Sequence, residues 1–174
     1  MAAAPPVAFS RAGAADAVTA AELRRALRRW LQEATEVSAD VRDDIVLSAS
    51  EALANCVEHA YRTHHMVGTM GLQARHDPGA QTVSVRVSDR GTWHRSPPKK
   101  PSDPQASRGI MLMHALADHC TINARPGGTT VCLDYTTKPI PLGNATIGAE
   151  SPAANHGGGC VGGFGAGSPG NIAE

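Results

Sequence analysis

The sequence changes its apolar periodicity near residue 62, and this change constrains the fold more than any other feature. Before that point, apolar residues recur at the three-and-four spacing of a buried helix face. After it they alternate with polar residues, as half-buried strands require. The alternation is clearest at Val83, Val85 and Val87, which are separated by Ser84 and Arg86. The chain is therefore predicted to begin with helices and to continue as a sheet.

Two helices are predicted in the N-terminal third, after a short edge strand over residues 7–11. The first runs from Ala14 to Ala34, with leucines on one face and arginines on the other. The second covers residues 41–62, and Ser38 supplies its capping residue.

Four more strands and a third helix are predicted after the periodicity changes. The turn residues Pro78 and Gly79 join the first two strands as a hairpin, which makes them antiparallel. The predicted elements are strands 67–75 and 83–87, a helix 109–118, and strands 120–124 and 130–135. This order favours an α+β fold, a two-layer sandwich with a mostly antiparallel sheet and helices on one face.

Two segments stand apart from these elements. Residues 92–107 contain four prolines and form a long loop, which is typical of a lid or a binding loop. Residues 143–174 hold ten of the chain's 18 glycines and have few charges, a composition that cannot bury enough apolar area to fold. We therefore predict one domain over residues 1–138 and a disordered glycine-rich tail over residues 139–174.

The composition excludes several classes of protein. Sixteen basic and sixteen acidic residues give no net charge, so the basic surface of a nucleic-acid binder is absent. No apolar run approaches the roughly 20 residues needed to cross a bilayer. We expect a soluble, cytoplasmic protein. Its four cysteines form no C-x-x-C pair and are expected to be free thiols.

Four short segments carry candidate chemistry. Glu51 and Asn55 lie one helical turn apart, which pairs a possible proton acceptor with an amide oxygen that can hold a hard cation. Asp89-Arg90-Gly91 follows a strand, Ser107-Arg108-Gly109 lies at the predicted start of the third helix, and Gly128-Thr129-Thr130 opens the last strand. Singly, each segment has an ordinary structural explanation, such as a solvated helix face or a turn. Only the joint arrangement favours a functional site.

In this order, the four segments resemble the GHKL ATPase superfamily, which has the histidine-kinase-like (Bergerat) ATPase fold. Within it, they are similar to the serine-protein kinases of the bacterial anti-sigma factor family. Glu51-x-x-x-Asn55 resembles the N box, and the segments at Gly91, Gly109 and Gly128 resemble the three glycine boxes. Ser50-Glu51-Ala52-Leu53-Ala54-Asn55, followed by His59-Ala60-Tyr61, is especially similar to the anti-sigma kinases. The resemblance covers roughly residues 7–137.

The resemblance implies a role for each matched residue. Asp89 would accept the adenine amino group, and Gly91 would let the backbone approach the base. Asn55 would coordinate Mg²⁺, and Glu51 would act as general base on a protein hydroxyl. The phosphates would lie against the backbone N–H groups of Gly109 and Ile110 with Arg108 beside them, and Thr130 or its neighbour Thr129 would support the adenine.

The resemblance also implies a function in transcription regulation and the stress response. The protein would be an ATP- and Mg-dependent serine/threonine kinase that phosphorylates a STAS-type anti-sigma factor antagonist and sequesters a sigma factor, as a homodimer. Ser107 stands where the superfamily often has glycine, and a residue that needs a positive φ there would be strained. This departure, together with the proline-rich loop, whose prolines limit its closing motions, motivates an alternative, a nucleotide-binding regulatory module that switches partners without kinase activity. A third possibility is a fold that no longer binds nucleotide.

Overall fold

The protein folds as a five-stranded antiparallel sheet with its helices packed on one face. The computed structural model describes residues 5–61, 67–92 and 104–137. The strand order is β1-β2-β3-β5-β4. The elements are β1 Val7–Ala14, α1 Ala17–Ala34, α2 Ala39–Asn55, a π-helix Cys56–Ala60, β2 Thr69–Asp77, β3 Thr82–Asp89, α3 Pro104–Leu116, β4 His119–Arg125 and β5 Gly128–Thr136.

Side-chain caps fix the starts of the first two helices. The Asp16 carboxylate accepts the backbone N–H of Thr19 at 2.7 Å, and this bond lowers the pKa of Asp16 below its ordinary value. The cap explains why α1 begins at Ala17 rather than at Ala14, as the periodicity alone predicts. Ser38 caps α2 as predicted, since its hydroxyl accepts the N–H of Val41.

A π-helix interrupts the predicted second helix. After Asn55 the chain widens into one π-helical turn, Cys56–Ala60, before the turn at Tyr61. Such turns occur frequently at functional sites because the extra residue changes the direction of the side chains that follow. Here the change falls directly after Glu51 and Asn55.

The sheet buries one face under the helices. Residues of β2 and β3 alternate between buried and half-buried along both strands. The core is filled by Leu, Ile and Val side chains of the helices and the central strands, including Leu27, Leu31, Ile45, Leu53 and Leu133. Fully burying each such side chain contributes about 2 kcal/mol. The predicted α+β class and the predicted β2–β3 hairpin are confirmed, and β4 and β5 also pair as antiparallel neighbours.

Several boundaries differ from those that the sequence suggests. The third helix begins at Pro104 instead of Gly109, so the predicted loop is shorter at its C-terminal end. Proline suits the first turn of a helix because no N–H partner is needed there. Cys56 and Cys120 are free, but Cys132 is disulfide-bonded, so the expectation of a free thiol is wrong there.

The chain divides into two compact units, Met1–Gly143 and Asn144–Glu174, and every described residue belongs to the first. The predicted tail, 139–174, and most of the predicted lid lie outside the described residues. Within the described part of the chain, no helix is long and apolar enough to span a membrane.

Candidate functional site

The carboxylate of Asp89 accepts hydrogen bonds from three separate parts of the described structure. Asp89 ends β3 and is only 7% exposed. Its Oδ1 accepts backbone N–H groups from Gly91 at 2.9 Å and from Thr129 at 3.2 Å. The thiol of Cys56 donates to its Oδ2 at 3.6 Å. Three elements therefore fix the direction of one buried carboxylate.

The thiol beneath Asp89 stays protonated. Burial raises the pKa of Cys56 well above its ordinary value, and the neighbouring Asp89 charge raises it further. A neutral thiol keeps its proton and can donate it to the carboxylate oxygen. The sequence alone predicts only that Cys56 is a free thiol. Its contact with Asp89 depends on the π-helical turn, for which the sequence shows no local signal.

Two glycines bring the neighbouring loops into contact with the end of β3. A Cβ atom at Gly91 would lie 2.0 Å from the carbonyl oxygen of Ala60, so no other residue fits without moving the π-helix. Gly128 has φ +139, and a Cβ there would lie 2.1 Å from the carbonyl oxygen of Asp89. Two of the three predicted glycine segments, those at Gly91 and Gly128, therefore meet at Asp89.

Two polar atoms at this end of the fold are buried and have no hydrogen-bond partner among the described residues. They are Nδ2 of Asn55 and Oγ1 of Thr129. Leaving such a group unpaired costs about 1–3 kcal/mol, which a ligand can recover by bonding to it. Asn55 precedes Cys56 in the chain, and the backbone of Thr129 already contacts Asp89. The two unpaired atoms thus belong to residues that are joined to the Asp89 cluster.

Of the two predicted threonines, Thr129 is the one joined to Asp89. It is buried, whereas Thr130 is half-buried and lies opposite Ser88 and Asn123 in the sheet. Successive residues of a strand point to opposite faces, so the two hydroxyls cannot serve the same pocket. Of the two threonines, Thr129 is therefore the one whose side chain lies on the buried face of the sheet.

Glu51 lies against the third helix. A Cβ atom built at Gly109 would be 2.6 Å from Oε2 of Glu51, so the carboxylate touches the helix backbone where a side chain would otherwise stand. Helix α2 rises about 1.5 Å per residue, which separates Glu51 from Cys56 by about 7.5 Å along the axis. Glu51, which contacts Gly109, and Cys56, which contacts Asp89, therefore lie about one and a half turns apart along one helical segment.

The remaining predicted residues occupy α3. Arg108 is exposed and Gly109 is buried. The side chain of Ile110 packs against the core. Because α3 begins at Pro104, the N–H groups of Gly109 and Ile110 fall within the helix rather than at its free end, contrary to the expectation from sequence. Ser107 is helical, and the only described non-glycine residue with positive φ is Gln81, so the strain expected at Ser107 is absent.

A groove elsewhere in the fold does not coincide with these residues. It lies between α1 and the segment of α2 and the π-helix, has a volume of about 220 Å³, and is lined mainly by small side chains such as Ala20 and Ala54. None of the predicted site residues line it. The hydrogen-bonded polar groups and the two unpaired polar atoms lie at or next to Asp89, so we take this end of β3 as the candidate functional site.

Comparison with known proteins identifies the family. Residues 13–135 match the histidine kinase-like ATPase domain, and the chain belongs to this family. The superfamily resemblance drawn from the four segments is therefore confirmed.

Two solved structures resemble the chain. The RsbU and RsbW domains of Rv1364c from Mycobacterium tuberculosis share 28% identity, with a TM-score of 0.58 over 78% of this chain and 34% of that one. The chain thus spans about a third of the length of this neighbour. The histidine kinase domain from the Erythrobacter litoralis EL346 blue-light activated histidine kinase shares 17% identity, with a TM-score of 0.49 over 69% of this chain and 60% of that one. We draw no functional conclusion from the similarity to this histidine kinase domain.

Proposed function

We propose that the protein is an ATP- and Mg-dependent serine/threonine protein kinase of the anti-sigma factor type. The observation that carries the kinase assignment is the position of Glu51, whose carboxylate touches the backbone of α3 at Gly109. In a histidine kinase-like ATPase domain, the second glycine segment is the one expected to hold the phosphates. A carboxylate at that place can accept a proton from a hydroxyl that attacks the γ-phosphate.

The adenine end of the nucleotide is assigned to the Asp89 cluster. The Asp89 carboxylate accepts the exocyclic amino group, and the hydroxyl of Thr129 supports the ring. The close approach of Gly91 to the Ala60 carbonyl keeps the turn after Asp89 packed against the π-helix. This assignment uses one of the two buried, unpaired polar groups, the hydroxyl of Thr129, as a ligand contact.

The residues present fit a magnesium ion that the nucleotide brings with it. No cluster of three or more His, Cys, Asp or Glu side chains occurs among the described residues, so they form no all-protein cage. Mg²⁺ commonly keeps several waters and binds through one or two protein oxygens together with phosphates. Asn55 would supply such an oxygen from its side-chain amide. When bound, the ion neutralises charge on the phosphates.

The transfer step assigned to Glu51 is an in-line displacement. The serine or threonine oxygen of the partner forms a bond to the γ-phosphorus, and the bond from that phosphorus to the β–γ bridging oxygen breaks. ADP leaves with the electron pair, and the hydroxyl proton passes to the Glu51 carboxylate. For Gly109 and Ile110 to donate N–H groups to phosphate, the first turn of α3 must open, because those groups are used within the helix.

The partners of the proposed reaction follow from the resemblance to the anti-sigma factor kinases. The mycobacterial neighbour contains an RsbW domain, which supports this branch of the family. We assign a STAS-type antagonist as the phosphate acceptor and a sigma factor as the sequestered partner, in the cytoplasm. We also assign a homodimer, and β1 offers a sheet edge for pairing, since it has a strand neighbour only in β2 among the described residues.

The alternative, a regulatory module that binds nucleotide without transferring phosphate, has less support than the sequence suggested. Its main motive was strain at Ser107, and that residue is helical. The two functions differ in one observable, because only a kinase produces a phosphorylated antagonist.

The test compares wild-type protein with Glu51→Gln, which keeps the shape of the side chain but removes the base. Each is incubated with Mg-ATP and candidate STAS-type antagonists, and phosphoserine or phosphothreonine is measured by mass spectrometry. We expect transfer by the wild type and a loss of about 100-fold or more in the variant, with ATP affinity nearly unchanged.

The matched control is Glu36→Gln, which makes the same change at an exposed residue between α1 and α2. It should transfer phosphate as the wild type does. Equal transfer by Glu51→Gln and the wild type would remove Glu51 from the catalytic role. ATP binding by the wild type without any phosphorylated antagonist would favour the regulatory module.

A further inference from the structure

The hydroxyl of Tyr61 makes three backbone hydrogen bonds at the end of the sheet. It donates to the carbonyl oxygen of Thr69 at 2.5 Å and accepts the N–H groups of Thr69 at 3.1 Å and of Arg90 at 2.9 Å. One donor and two acceptor positions are what a phenol offers. The ring packs on the same strand end, since a Cβ atom at Gly68 would overlap it at 1.9 Å.

The hydroxyl occupies the point at which the β2–β3 ladder ends. Met70 is paired with Asp89, and one more step in the same register would place Thr69 opposite Arg90. Instead, the Tyr61 oxygen bonds to both of these residues. It takes the place of a β3 partner for Thr69, which stays paired with Ala14 of β1, and it allows the chain after Asp89 to leave the sheet.

The turn that follows Asp89 has each of its three N–H groups bonded. That of Arg90 donates to Tyr61, that of Gly91 to the Asp89 carboxylate, and that of Thr92 to the carbonyl oxygen of Ala60 at 2.8 Å. Two of the three acceptors are thus adjacent residues, Ala60 and Tyr61, at the end of the segment that carries Glu51 and Asn55. The turn is held to that segment rather than to the sheet.

We propose that Tyr61 is a positioning residue of the nucleotide site. Its hydroxyl fixes the Asp89–Gly91 turn against the end of the π-helix and so sets the direction in which the Asp89 carboxylate meets the base. Tyr61 itself touches no reacting atom in this assignment. The inference rests on the proposed nucleotide site, and it adds a group that couples adenine recognition to the helix bearing Glu51 and Asn55.

The variant Tyr61→Phe tests this role, because it keeps the ring and removes all three hydrogen bonds. Calorimetric titrations with Mg-ATP and with Mg-GTP measure affinity and base selectivity. We expect ATP affinity to fall about tenfold and GTP affinity to change much less, since the displaced turn is the adenine-selecting one. The control is Tyr135→Phe, the same change in β5 opposite Val83, at the other end of β3. It should bind both nucleotides as the wild type does.

A second measurement uses only the wild-type protein and does not depend on how the variant folds. The side chain of Arg90 is exposed, so its amide should exchange rapidly with solvent unless Tyr61 holds it. We expect the Arg90 amide to be protected from hydrogen exchange to a degree similar to the amides within β3.

The outcomes separate this inference from the proposed function. ATP binding by the wild type with equal affinity and selectivity in Tyr61→Phe would overturn the positioning role alone, as would rapid exchange at Arg90. Failure of the wild type to bind ATP would overturn both. A parallel loss of ATP and GTP affinity in Tyr61→Phe would show a general structural effect and would also overturn the selective role.

Discussion

Replacing Asp89 by asparagine should remove adenine selectivity while leaving the fold in place. The variant keeps Oδ1, which accepts the N–H groups of Gly91 and Thr129, so the turn and the start of β5 remain tied together. What changes is the second terminal atom, where an NH₂ group replaces Oδ2. That group then faces the Cys56 thiol, a donor, and the adenine amino group, also a donor.

The size of the effect follows from the bond that is lost. A hydrogen bond to a charged group contributes about 1.5–3 kcal/mol, which corresponds to a roughly 10- to 150-fold weaker affinity for ATP. Guanine carries an oxygen acceptor where adenine has its amino group, so the new NH₂ group of Asp89→Asn can donate to it. We expect GTP affinity to be unchanged or higher.

Calorimetric titration with Mg-ATP and Mg-GTP measures both affinities, and urea denaturation checks the fold. Asp134→Asn is the matched control, because Asp134 also accepts a side-chain hydrogen bond in the sheet, from Ser84 at 2.6 Å, away from Asp89. ATP affinity in Asp89→Asn within twofold of the wild type would refute the assignment of Asp89 to the base. An equal loss of ATP and GTP affinity would refute the selectivity argument.

Two other predictions concern the groups around Asp89. Gly91→Ala should lower the free energy of unfolding by about 1–3 kcal/mol, because its Cβ overlaps the Ala60 carbonyl. Gly127→Ala is the control, since a Cβ there meets nothing within 4 Å. Urea denaturation measures both, and equal free energies of unfolding would contradict the close approach. Burial raises the pKa of Cys56 from its ordinary value of 9.0, so its contribution to stability is full below pH 9 and is lost as the pH rises further. Cys56→Ser should therefore flatten the fall in stability between pH 9 and 10.5, and an unchanged slope would show that the thiol does not titrate as inferred.

Most of the fold could be predicted from the sequence because the periodicities are strong and local. The alternation around Val83–Val87 and the turn after Asp77 determine a hairpin without reference to the rest of the chain. Ser38 identified the start of α2 for the same reason. The start of α3 could also have been predicted, since proline is a favourable first residue of a helix. The proline-rich stretch around Pro104 favoured a loop instead.

The features that escaped prediction depend on contacts between distant residues. The π-helix after Asn55 coincides with the docking of Gly91 and Thr92 on Ala60, and neither its residue types nor their spacing mark it. The hydroxyl of Tyr61 and the thiol of Cys56 likewise bond to residues that are distant in the sequence, Arg90 and Asp89. The sequence could identify Asp89, Gly91 and Glu51 as candidates, but not the groups that hold them in place.

The most direct test of the nucleotide site is a chemical-shift titration of ¹⁵N-labelled protein with Mg²⁺ and a non-hydrolysable ATP analogue. We expect saturable shifts at the amides of Asp89, Gly91 and Thr129 and at the side-chain amide of Asn55, with little change along the α1 side of the groove at Ala20. Shifts confined to that groove, or no shifts at saturating analogue, would contradict an ATP site at Asp89.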